Sequence, residues 1–125
     1  MKRIEFLKKP STYFNEAEFL AYLSKVENEN DLFSKLSNVL KFPDYFGDNW
    51  NALYDCLRDF NWIEKEGIAL IHTEMPNLSE EGLKTYVEIL FDTVQDWKED
   101  EEHYFKVIFP EETEQTIKKL ISSFQ

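Results

Sequence analysis

The chain has 125 residues, enough for one domain with its own hydrophobic core. Its 14 Lys and Arg stand against 25 Asp and Glu, a net charge of −11 that repels phosphate backbones and anionic membranes and suits a cationic partner. A lone cysteine cannot close an internal disulfide, no apolar run follows the basic N-terminus, and no stretch could span a bilayer, so a cytoplasmic protein without nucleic-acid or membrane partners is expected.

Arg3 to Leu7 alternates polar and apolar residues and stops before Lys8, Lys9 and Pro10, which predicts a short strand. Glu18 to Val26 fits two periods: Phe19, Leu20, Tyr22, Leu23 and Val26 make a helical stripe, yet the run is aromatic enough for a strand. A helix follows with Asn30 as its N-cap and Leu32, Phe33, Leu36, Val39 and Leu40 on one face, stopped by Pro43. After the turn residues Pro43, Asp44 and Gly47, either Asp48 or Asn49 caps a second helix running on to Phe60. Gly67 to His72 is a continuous apolar run, expected of a strand covered on both faces. Leu83, Val87, Leu90, Val94 and Trp97 recur at helical spacing in a long amphipathic helix. Tyr104 to Phe109 is a strand ended by Pro110, and a last helix carries acids first and lysines late, as the helix dipole favours. Strands alternating with helices imply an α/β domain with a mainly parallel sheet.

The segment KFPDYFGDNWNALYDCLRDF, Lys41 to Phe60, concentrates rings and acids around one glycine. At about 100° per residue, Trp50, Leu53, Leu57 and Phe60 form the buried face of its helix, while Asn51, Asp55 and Asp59 line the opposite side. Acids one turn apart repel by a few tenths of a kcal/mol, so folding gains nothing from that stripe. Charge runs are most often solvated surface, but Tyr45, Phe46 and Tyr54 beside the acids give the composition of an interface. Chemistry has little to work with: Cys56 fits a small packed side chain, His72 a structural strand residue, and neither they nor His103 sit in a nucleophile, phosphate-loop or metal-ligand motif. The acidic runs at Gln95–His103 and Pro110–Gln115 read as solvated surface. An enzyme is not expected, nor a cofactor or metal.

From Tyr45 to Leu57 the segment resembles, without a gap, the binding loop and second helix of the barstar family, small cytoplasmic inhibitors of secreted barnase-type ribonucleases. The resemblance runs from about Phe19 to Phe109. It implies that Phe19 to Leu23 is a strand in a small three-stranded parallel sheet packed by helices, within one domain spanning residues 1–125, with N- and C-terminal extensions beyond a core of about 19–109. It also implies a role for each matching residue. Asp55 would occupy the place of an RNA phosphate in a cationic active site, and Tyr45 would cover the cleft and stack on the catalytic histidine. Gly47, Asn49, Trp50 and Tyr54 match other contact positions, and Asp96 aligns with an acid late in the long helix. Three residues depart from the pattern: Asn51 stands where the family carries Asp, and Arg58 and Asp59 replace uncharged residues. The expected partner is a basic ribonuclease of barnase type or a related toxin domain; the alternative is an interaction or immunity module of the same fold that binds a different basic protein.

Overall fold

The computed structural model describes residues 3–98 and 101–124. Four strands, β1 (Ile4–Leu7), β2 (Glu18–Leu23), β3 (Gly67–His72) and β4 (Tyr104–Pro110), form one parallel sheet in the order β1-β4-β3-β2. Helices α1 (Glu29–Val39) and α2 (Trp50–Cys56) lie on the connection from β2 to β3, α3 (Glu80–Asp96) joins β3 to β4, and α4 (Glu114–Phe124) follows. The ambiguous segment is therefore a strand. The expected three-stranded sheet is corrected to four: β1 pairs along the edge β4 would otherwise leave open, buries Ile4 and stacks Phe6 on Phe109 at 6.1 Å.

Alternation along the strands divides the core in two. Ala21, Leu23, Ile68, Leu70, Phe105, Val107 and Phe109 face the helices and meet Leu32, Phe33, Leu36, Leu53, Leu57, Tyr86 and Leu90. On the other side Ala69, Ile71 and Ile108 are covered by Leu7, Tyr13 and Leu20, because the segment linking β1 to β2 crosses that face. Both faces are thus dry, which is why all six residues of β3 are buried.

Two buried polar groups are fully satisfied. His72 is stacked on Phe109 at 4.3 Å; its Nδ1 lies 3.0 Å from the Ile108 carbonyl, and its Nε2 lies 2.7 Å from the Tyr86 hydroxyl. Burial lowers its pKa to about 4, so the ring is neutral near pH 7, with Nδ1 donating and Nε2 accepting. Glu18, 1% exposed, accepts 2.5 Å hydrogen bonds from Tyr13 and Tyr104 and faces Lys106 at 3.2 Å. Burial alone would raise its pKa, but the bonds from Tyr104, Tyr13 and Lys106 outweigh that and hold the carboxylate below its ordinary range.

The first helix starts earlier than expected. Asn28, not Asn30, is its N-cap, accepting from Asp31 N at 2.9 Å while the Asp31 carboxylate returns to Glu27 N at 2.8 Å. Asn30 lies inside the first turn, where its side chain has no orphan amide ahead of it to cap. Among the described residues, no helix is long and apolar enough to cross a membrane.

Candidate functional site

The loop after α1 is rooted by rings and presents one. Lys41, at φ 58°, turns the chain off the helix, and buried Phe42 packs on Phe46 with centroids 4.7 Å apart. Phe46 N closes a turn onto the Pro43 carbonyl at 3.0 Å. Tyr45, between the two anchors, is left 67% exposed. Gly47 does not supply the left-handed residue of the turn; Asp48 does, at φ 52°. What Gly47 allows is a close approach, since a Cβ there would stand 3.2 Å from Asn49 Nδ2. Asn49 needs that space because it works both ways, accepting from Ala52 N at 2.8 Å and donating to the Gly47 carbonyl at 3.0 Å. Aspartate could cap the helix but could not make the second bond. Asp48 is thus the turn residue and Asn49 the N-cap of α2.

Leu53, Leu57 and Phe60 are buried, as their spacing predicts, and Cys56 is buried beside them. Trp50 is half-buried, its ring edge-on to Phe33 at 4.9 Å and tilted against Tyr86 at 6.4 Å, so it anchors α2 to the core. The helix is shorter than expected, ending at Cys56. Arg58 and Asp59 close single turns onto Asp55 and Cys56, and Phe60, at φ 53°, redirects the chain. Asp59 therefore leaves the helical stripe. Its carboxylate accepts the Tyr45 hydroxyl at 3.1 Å and ties the loop to the far end of α2. Cys56 lies beneath: burial, then the charges of Asp59 and Asp55, push its thiol up and keep it protonated and unreactive.

Arg58 makes a second tie, from α2 to α3. Its Nε lies 2.9 Å from Asp96 Oδ2, Nη1 donates to the Tyr54 carbonyl at 2.9 Å and to Thr93 Oγ1 at 3.1 Å, and the guanidinium lies 3.5 Å over the Tyr54 ring. Thr93, fully buried, holds this junction through a 2.7 Å bond to the Ile89 carbonyl. Sequence reading missed it, since a threonine on a buried helical face looks like any other core position.

The expected contact residues thus fall into four sets. Tyr45 and Asp59 are joined; Tyr54, Arg58 and Asp96 are joined; Gly47, Asn49 and Trp50 build the support beneath. Asn51 and Asp55 are exposed one turn apart on α2, and among the described residues neither side chain makes an intramolecular hydrogen bond. Asp55 is the sole carboxylate of α2. An exposed, uncommitted carboxylate beside tyrosines held in place by their neighbours is suited to receive a cation. Among the described residues no group of three or more His, Cys, Asp or Glu could hold a metal ion.

Two comparisons with known proteins show what the chain is similar to. The family model described as Barstar (barnase inhibitor) matches residues 17–110, which contain every residue of the face. A Bacillus subtilis (strain 168) protein named "Putative ribonuclease inhibitor YrdF" is 32% identical over 83 residues, 66% of this chain and 86% of that one.

Proposed function

Since this chain belongs to the barstar family, we propose that it is a cytoplasmic inhibitor of a ribonuclease and blocks the enzyme's cationic active site with the face built from residues 45–59. The observation that carries this reading is Asp55, exposed and uncommitted on a helix whose other side is locked into the core. An active site that cleaves RNA must hold phosphate with cationic side chains, and a carboxylate presented from a rigid helix meets the same donors. Tyr45, held by Asp59, covers the cleft beside it. The net charge of −11 draws a basic enzyme to the inhibitor and keeps RNA away from it. Residues 1–125 act here as one domain.

The test is titration of a barnase-type ribonuclease with the purified protein while RNA cleavage is followed. Stoichiometric loss of activity supports the reading. Full RNA cleavage at excess inhibitor, together with tight capture of a basic toxin that does not cleave RNA, would move the protein to the alternative class of immunity modules.

A further inference from the structure

Arg58 stands on the candidate face yet spends its charge inside the molecule. Its side chain is only 20% exposed, while that of Asp96 is 53% exposed. Nε and Nη2 converge on one carboxylate oxygen, Oδ2 of Asp96, at 2.9 and 2.8 Å. Nε takes the directed bond, and buried Nη2 is held by charge alone. The remaining donor and the cationic plane address Tyr54, through its carbonyl at 2.9 Å and its ring at 3.5 Å. One side chain therefore fixes two residues of the face before any partner arrives.

We propose, resting on the inhibitor reading above, that Arg58 is a positioning residue that sets partner specificity. It pre-orders the Tyr54 ring and the Asp96 carboxylate, and it cancels the Asp96 charge. Two consequences follow physically. The cost of ordering Tyr54 is met in the free protein, which lengthens the life of the complex. A partner cation placed opposite Asp96 meets a neutral pair with Arg58 behind it, so that position discriminates against enzymes that need a second free carboxylate. Asn51 removes charge from the same face in the same sense. The partner that fits concentrates its cations on Asp55 and turns an uncharged, hydrogen-bonding surface toward Asp96.

Lysine keeps the charge of arginine but loses its planar fork and its stack, so Arg58→Lys separates positioning from charge, and Arg58→Gln removes both. Association and dissociation rates are measured against a barnase-type ribonuclease at low salt. Both variants are expected to dissociate about tenfold faster, the scale of one lost cation–π contact. Only Arg58→Gln, which uncovers Asp96, is expected to associate faster. If Arg58→Gln fails to fold, the lysine variant alone decides the point. Wild-type dissociation in Arg58→Lys would reduce Arg58 to a plain charge and overturn the proposal. The lock is also read without a partner: in the free protein the Arg58 Nε–H should exchange slowly with solvent in nuclear magnetic resonance, and Asp96→Ala, which removes the acceptor, should abolish that protection. An unprotected Nε–H in the wild type would overturn the proposal. If the wild type does not bind the ribonuclease, the inhibitor reading falls, while the exchange measurement still decides whether Arg58 locks the face.

Discussion

The Tyr104 ring lies across Gly67: a Cβ on that glycine would stand 2.3 Å from Tyr104 Cζ and 2.8 Å from Glu18 Cγ. Gly67 pairs with Glu18 on one side and Tyr104 on the other, so the missing side chain is what lets the phenol of β4 cross the central strand to the carboxylate of β2. Burial, and then the bond to the Glu18 carboxylate, raises the Tyr104 pKa to about 12. Gly67→Ala would push the ring aside and strip a hydrogen bond from a buried charge. It should destabilise the protein by roughly 2–4 kcal/mol, combining overpacking with an unpaired polar group. Denaturant unfolding measures this; a variant as stable as the wild type would mean that Tyr104 reaches Glu18 by another path.

Asp55→Ala should weaken binding to a ribonuclease partner by at least about 2 kcal/mol, the usual threshold for a dominant interface residue. Folding stability should stay within about 0.5 kcal/mol, because the side chain is exposed. Calorimetry that finds no change in affinity would take α2 out of the interface. Association should also slow as salt rises, since the screening length shrinks from about 30 Å at 0.01 M to about 8 Å at 0.15 M.

Asn51→Asp should restore a second acid one turn before Asp55. Against a generic barnase-type ribonuclease tighter binding is expected; against the natural partner, little gain or a loss. Inhibition constants for both enzymes decide it. Equal tightening toward both would make Asn51 a weakened contact and nothing more.

His72 sets an acid limit on the fold. Its folded pKa of about 4 lies below the ordinary 6.5, so the unfolded chain takes up a proton that the folded one refuses. The stability linked to neutral His72 is complete above about pH 6.5 and is lost as pH falls toward 4, at up to about 1.4 kcal/mol per pH unit. Glu18, whose pKa is also lowered, adds a loss in the same direction below the ordinary carboxylate range. Substituting His72 by Gln should flatten the upper part of the profile in urea titrations from pH 7 to 4. An unchanged slope would assign the acid sensitivity elsewhere.

The periodicity of Leu53, Leu57 and Phe60 correctly predicted burial but not the end of the helix. Residues after Cys56 keep an apolar register while their hydrogen bonds shorten to single turns. Glu18 to Val26 was ambiguous because the β1–β2 segment covers part of the second face of β2, so that apolar Leu20 stands where polar alternation would put a polar residue. The alternation of Ile4 to Leu7 showed a strand, but not that β4 offered it an edge. The ties of the face were illegible for the same reason: Arg58 and Asp96, or Tyr45 and Asp59, meet only once the helices and loop are packed. What was legible was the exposed pair Asn51 and Asp55, because a short helix with one apolar side fixes the other by geometry.

The placement of β1 carries a consequence for synthesis. Ile4 lies opposite Val107, so of the four strands β1 waits for β4, and the sheet closes through a long loop. Until β4 leaves the ribosome, Ala69 and Ile71 on β3 have β2 on one side but lack the strand on the other, and with it part of the surface that the β1–β2 segment covers. The loop before α2 is rooted on Phe33 of α1 and on Phe42, but α2 and the turns after it also rest on Tyr86 and Asp96 of α3 and, through Phe60, on Phe105 of β4. The nascent chain thus carries an unfinished, sticky sheet, and its recognition surface is completed only with the later elements. Changes that slow the final closure should lower soluble yield in cells more than they lower the equilibrium stability of protein already folded.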